Sequence, residues 1–433
     1  MSDLLILGIL GTATVWSLWR PWIGAVLFVW VSLMSPHVEF GWSAANWPVA
    51  TGIAACTLVG LLLTKQKQNP MVGSPAWAIL FFTLWICITL PFSFYLDESL
   101  PLWERSMKIF LMIFVTLALI DDKRKLHWLI WTIAFSIGFY TVKGGLFTLM
   151  TAGNYRVWGP GGFIGGNNEL ALAGVMTIPL LRYIQLQMVG KWQRRAMGLA
   201  LVLSVITVLG SYSRGAFLAL AMMGLMLWMK GKRKFVGAFV MLFIGIGALG
   251  FMPEQWFERM NTIETYQQDE SAMGRLNAWG MATNLALDRI VGGGFMPYHP
   301  DVYARYAEDP NRVLAAHSIY FQILGEHGFI GLFLFLGVGL TTWATARRLI
   351  KSVHNDPSRQ WLADLGAMVQ VSLLGYAVGG TFLSLAYFDL PYYLAAIVAL
   401  AASIDQKQRR AALKAQRAAL GDNNMGLGWN HGR

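Results

Sequence analysis

Charge is scarce in this chain. Asp, Glu, Lys and Arg supply only 13% of its 433 residues, against about 25% in an ordinary soluble domain, so a surface that meets water on every side is excluded. Cysteine is scarcer still. Cys56 and Cys87 both lie in apolar runs, which predicts buried thiols and gives no ground for a disulfide. The sequence contains no H-E-x-x-H, no G-x-S-x-G and no Walker loop, which removes the signatures of zinc protease, serine hydrolase and P-loop nucleotide chemistry. His299, His317 and His327 lack the local spacing of a zinc site, so no metal and no other cofactor is expected. Acidic residues are almost missing from the middle of the apolar runs, where a proton-coupled transporter would need them. The start, Met1-Ser2-Asp3, has no basic region and no clear small-residue cleavage site, so it reads as the approach to a first membrane segment.

What is present is hydrocarbon. With 56% hydrophobic residues and a mean hydropathy of +0.49, the chain reads as an all-α polytopic membrane protein. A hydrocarbon core about 30 Å thick takes about 20 apolar residues per helix, and runs from Leu4–Trp19 to Tyr392–Ile404 give about twelve spans in one integral membrane domain, residues 1–433. The first two runs are short and separated by Arg20-Pro21, so they form a hairpin or one broken unit.

The net charge of +11 does not point to nucleic acid, because most Lys and Arg sit in short links between apolar runs. Lys65 with Lys67, Lys123-Arg124-Lys125, Lys191 with Arg194-Arg195, Lys230, Arg347-Arg348 and the polar tail at 405–433 mark the cytoplasmic side by the positive-inside rule. The opposite face receives Tyr95–Lys108, Thr148–Asn168, Ser211–Arg214 and one large loop, residues 252–318. In a Gram-negative bacterium that face is the periplasm, and the membrane is the inner one.

The large loop has arginines at 259, 275, 289, 305 and 312 but no lysine up to Ala316. A planar guanidinium suits bidentate phosphate recognition better than an ammonium does; the plainer reading is a set of surface pairs with the loop's own acids. Ser271 is an N-cap candidate for a helix carrying Arg275 and Trp279, and helix N-termini attract anions. Ser211-Tyr212-Ser213-Arg214-Gly215 interrupts two apolar runs, so Arg214 either snorkels to the interface or meets an anionic ligand. Arg105 and Lys108 add cations just before a span. Gly165-Gly166-Asn167-Asn168-Glu169 reads first as a helix cap and second as a contact for sugar hydroxyls. His317 stands where the polar loop meets the apolar run at Ile319, wet enough to titrate and held enough to be aimed.

The ordered set Ser213-Arg214-Gly215, Arg275 with Trp279, Gly292-Gly293-Gly294-Phe295, His317-Ser318, and Glu326 with Gly328 and Gly331 resembles the bacterial O-antigen ligase family, the superfamily shared with O-antigen polymerases and protein O-oligosaccharyltransferases. Ala315–Gly328, Asp301–Tyr306 and Tyr155–Gly165 are also similar to the branch of O-glycosylation ligases linked to exosortase systems. The resemblance implies a membrane-embedded, inverting, metal-independent glycosyltransferase of the GT-C type. Its donor would be a glycan on undecaprenyl diphosphate, its acceptor a sugar hydroxyl of lipid A–core oligosaccharide, and its other partners membrane lipids; a monomer suffices. His317 suits the acceptor hydroxyl's proton, and Arg214 and Arg275 suit charge developing on the diphosphate. Arg105, Lys108, Asn168, Ser213, Arg289 and Arg312 are the expected substrate contacts. The alternatives are a polymerase or protein O-oligosaccharyltransferase reaction, and a flippase for lipid-linked glycans.

Overall fold

A computed structural model describes residues 2–40, 47–231, 234–261, 270–353 and 356–426. Parts of the large loop (262–269), of one basic link (232–233) and of the tail (427–433) therefore lie outside the described residues. Helices follow one another as α1 (Ser2–Trp19), α2 (Pro21–Met34), α3 (Pro36–Glu39), α4 (Val49–Leu63), α5 (Ser74–Thr89), α6 (Leu96–Leu119), α7 (Lys123–Met150), α8 (Asn167–Gln187), α9 (Lys191–Gly210), α10 (Arg214–Lys230), α11 (Lys234–Phe251), α12 (Glu254–Asn261), α13 (Glu270–Asp288), α14 (Pro300–Tyr306), α15 (Ile319–Ser352), α16 (Gln360–Gly379) and α17 (Asp389–Gly426). No strand occurs among the described residues. Among the described residues, six helical stretches are long and apolar enough to cross a membrane, and Ile6–Trp19, Pro21–Met34 and Val49–Leu63 are shorter apolar helices. The apolar runs on either side of Arg20-Pro21 form two separate helices, because Pro21 takes the first helical position of α2, where a missing N–H costs nothing.

Helix α8 is the central post, packed by α7, α9, α10 and α16. The first turns of α17, Leu390 and Tyr392–Ala401, are buried, and past Asp405 the same helix runs on into an exposed polar stretch. The tail is thus no separate short helix but a continuation of the last apolar run as far as Gly426. Cys56 and Cys87 are free thiols, and both are half-exposed on helix flanks, not buried as the apolar runs suggested. Leu62, Leu63, Phe333 and Leu340 turn outward, as expected where the surrounding solvent is lipid.

The basic links gather at one end of the bundle. Lys407 Nζ reaches Gln68 Oε1 (2.5 Å), Lys123 lies over the Trp361 ring, and Arg359 holds Asp405 with a two-pronged pair (2.8 and 2.9 Å) that Arg409 joins at 3.1 Å.

At the opposite end, α15 is broken at Gly328, whose backbone (φ 68°, ψ −172°) is left-handed. The carbonyls around the break accept donors from elsewhere, as released backbone groups must. Gly293 N–H binds Gly325 O and Gly294 N–H binds Glu326 O (both 2.9 Å), while Trp85 Nε1 binds His327 O at 2.9 Å. Glycine is required twice over at the break. A Cβ on Gly328 would stand 2.0 Å from Ile290 O, and a side chain at that φ is strained. Gly328→Ala is therefore expected to cost about 1–3 kcal/mol or more, seen as a lower unfolding midpoint of the purified protein. Gly337→Ala, a helical site with open space at the Cβ position, should be neutral or slightly stabilising; equal midpoints for the two variants would disprove this role of Gly328.

Candidate active site

The site begins with two helix starts tied to each other. Ser213 is the N-cap of α10, its Oγ accepting from Ala216 N–H at 3.3 Å, so Arg214 is the first helical residue. Gly215 follows because Phe382 approaches closely: a Cβ there would meet the Phe382 ring and Cβ at 3.1–3.2 Å. The preceding turn is fixed by Tyr212, left-handed at φ 59°, whose hydroxyl donates to Gly153 O at 2.6 Å. Helix α8 starts beside it. The expected capping segment Gly165–Glu169 does open the helix: Gly166 is the N-cap, without a side-chain cap bond, and both asparagines lie in the first turn. Asn167 Nδ2 donates to Ser211 O (2.7 Å), and Asn168 turns to the cleft.

That cleft, about 30 Å³, is lined by Asn168, Ser213, Arg214, Gly215, Arg275, Phe382 and Leu383. Two helix N-termini and two guanidiniums thus meet in one place, and both features favour an anion. A much larger cavity, about 1170 Å³, lies elsewhere, between α2 and α7 with Trp22, Trp30, Trp128 and Trp131 on its walls. Size alone would select that cavity. Its wall is apolar apart from Thr132, Ser136 and Lys143, the last ion-paired with Glu39, and it carries none of the predicted site residues.

Arg275 arrives on α13, which already includes Glu270, so Ser271 lies inside the helix and is not its N-cap. One turn after Arg275, Trp279 stacks on Phe321 (4.7 Å between ring centres, 8° between planes) and donates from Nε1 to Ala316 O at 2.7 Å. That carbonyl immediately precedes His317. The spacing of Arg275 and Trp279 thus sets arginine and histidine in register. Gly274 allows the close approach, since a Cβ there would stand 2.2 Å from Leu314 Cδ1.

His317 is left-handed at φ 44°, a conformation uncommon for a non-glycine residue and often found at functional sites. Beside it, the Ser318 hydroxyl is buried with no hydrogen-bond partner among the described residues. Burial, and after it the positive charge of Arg275, hold the imidazole below its ordinary value of 6.5. The ring therefore stays neutral and basic over a wider pH range than a free histidine.

The other expected contacts divide. Arg105 stacks on Phe163 at 3.6 Å, beside Gly162 of the glycine-rich turn leading to α8, and lies within electrostatic reach of buried Asp389, which Ser32 hydrogen-bonds. Lys108 pairs with Glu104 at 2.6 Å, half-exposed. Arg289 donates to Phe92 O (2.7 Å) and covers the Phe94 ring, and Arg312 faces Asp309 at 3.9 Å beside Gly274. None of these four lines the cleft.

Sequence reasoning missed Phe382 and Leu383. It also missed a buried polar chain under the loop. Tyr387 OH donates to Glu326 and lies 2.7 Å from His327 Nε2, while His327 Nδ1 lies 2.7 Å from Thr89 Oγ1. Glu326 Oε1 also accepts from Met296 N–H at 3.4 Å. Two adjacent titratable residues inside an apolar run were the available signal.

Residues 199–336 match the family model described as O-antigen ligase, a stretch that includes Ser213, Arg214, Arg275 and His317. Residues 1–188 match a model described as a family of unknown function (DUF5935). No curated protein matches the chain.

Proposed function

We propose, from the match of residues 199–336 to the O-antigen ligase family, whose members are glycosyltransferase-like ligases and polymerases, that this chain transfers O-antigen glycan from undecaprenyl diphosphate to a sugar hydroxyl of lipid A–core oligosaccharide, at the periplasmic face of a bacterial inner membrane. The observation that carries the reading is the convergence of Arg214 and Arg275 on one cleft at the starts of α8 and α10, with His317 in electrostatic contact with Arg275.

In this reaction the acceptor oxygen attacks the anomeric carbon as the bond to the diphosphate oxygen breaks. His317 receives the hydroxyl proton, and undecaprenyl diphosphate leaves with the electron pair. The two guanidiniums meet the charge that accumulates on the leaving group, where fixed donors contribute most. Attack opposite the leaving group inverts the anomeric configuration. A lipid diphosphate carries its own activation, so neither nucleotide nor metal is required. A flippase would instead need cations along a route through the bilayer, whereas Arg214, Arg275 and His317 gather at the end opposite the basic links.

Purified protein in vesicles, given undecaprenyl-diphosphate glycan, is expected to extend lipid A–core, with unchanged rate in EDTA. Extension of a second lipid-linked glycan would make it a polymerase, and transfer to protein hydroxyls an oligosaccharyltransferase. If EDTA stopped the reaction and Mg²⁺ or Mn²⁺ restored it, charge neutralisation by arginine alone would be wrong.

A further inference from the structure

Two aromatic side chains stand out of the turn between α7 and α8. Tyr155 is 66% exposed and Trp158 64% exposed, although the backbone beneath them is pinned. Val157, on one side of Trp158, is buried and donates its N–H to Gly210 O at 3.0 Å. Gly159, on the other side, donates to Gly165 O at 3.1 Å, and a Cβ on it would fall 1.5 Å from Ile164 O and 3.3 Å from Leu170 Cβ. Trp158 is therefore bracketed by contacts to the end of α9 and the start of α8, which flank the cleft. Gly210 lies four residues before Arg214, and Leu170 lies two after Asn168. Arg156, next in line, covers the Tyr212 ring at 5.6 Å and so holds the same turn.

A large apolar ring that stays exposed on a fixed backbone is pre-organised for a partner, and exposed apolar surface on a loop beside a reaction site marks recognition. The negative face of the indole quadrupole suits the slightly positive C–H face of a sugar ring, while the indole N–H can serve a hydroxyl. We propose that Trp158, flanked by Tyr155, is a stacking platform for a sugar ring of the transferred or accepting glycan, placed beside the diphosphate cleft. The proposal rests on the glycosyl-transfer reading above. Its competitor is an interfacial tryptophan that anchors the bilayer edge.

The two differ in what can replace tryptophan. Reconstituted wild type, Trp158→Ala, Trp158→Phe and Trp158→Leu would be assayed with undecaprenyl diphosphate carrying a repeat-unit oligosaccharide or a single sugar, and with intact or outer-truncated lipid A–core. Stacking predicts that Trp158→Ala raises KM for one partner about 3- to 10-fold with kcat nearly kept, on the scale of an aromatic contact. The effect should vanish with whichever shortened substrate lacks the stacked ring, which separates donor from acceptor. Phenylalanine should restore KM and leucine should not. Binding of the glycosylated and the bare lipid diphosphate gives a readout besides turnover. Leucine performing as well as phenylalanine, or all variants matching wild type, would assign Trp158 to the bilayer and overturn the platform alone. A folded wild type that neither binds nor transfers any lipid-diphosphate glycan would overturn the ligase reading and the platform with it.

Discussion

Replacing Arg275 with alanine is expected to lower single-turnover glycan transfer by about 10³-fold or more, the scale seen when an arginine that meets transferred charge is removed. Arg214→Ala should do the same, since both guanidiniums line one cleft. Lysine at either position should recover only part of the rate, because it keeps the charge and loses the planar fork. The double variant should fall short of the product of the single losses, as residues acting on one leaving group are not additive. Donor binding measured on the same proteins separates a ground-state loss from one confined to the transition state. A folded Arg275→Ala protein with near-normal transfer would remove the cleft from the mechanism.

His317→Ala should cost about 10²–10⁴-fold in the chemical step, the usual yield of a general base, with donor affinity largely intact. Its pH dependence has a definite sign. A base works when neutral, so the rate is full above the imidazole pKa and is lost as pH falls through it. Because burial and then Arg275 depress that pKa from 6.5, the acid limb of the wild-type profile should lie below 6.5. Replacing Arg275 with glutamine removes one of the two causes, so the residual activity should show its acid limb moved upward. A histidine that merely packs before α15 predicts neither effect. His317→Gln with most of its activity kept would leave electrostatic positioning by the arginines as the surviving mechanism.

The long apolar helices were legible because an apolar run is a local signal that no tertiary contact needs to supply, whereas the polar helices α12, α13 and α14 carry no such run. The runs at Val49–Leu63 and Ile319–Thr345 fall within α4 and α15. The site was half legible. Arg214, Arg275 and His317 announce themselves as charged or titratable groups at the edges of hydrocarbon, and Asn168 and Ser213 by their place at helix starts. Their mutual arrangement was not written locally. Phe382 and Leu383 reach the cleft from far along the chain, and the hydrogen bonds of His327 to Thr89 and Tyr387 span 238 and 60 residues. Arg289, Lys108 and Arg312 share the chemistry of the cleft arginines, but Arg289 is committed to Phe92 O, which only the fold brings near, while Lys108 and Arg312 face Glu104 and Asp309, local partners four and three residues away. The N-cap assignment to Ser271 failed for a simpler reason: α13 already includes Glu270, so Ser271 is a helical residue, whereas the glycine–asparagine segment does open α8, with its cap at Gly166.

The backbone pairing of Gly293 and Gly294 with the carbonyls at the break in α15 sets a rule for transplantation. Sequence boundaries would suggest swapping the large loop between relatives by cutting at Ser318, where polar gives way to apolar. Such a chimera would separate the glycine run from the interrupted helix that receives it, and with it the ring stack of Trp279 on Phe321. The unit that moves intact is the loop together with the first turns of α15 through Gly331. Within that unit the polar and membrane halves are a single heritable cassette, so variation in one is expected to be matched by compensating change in the other.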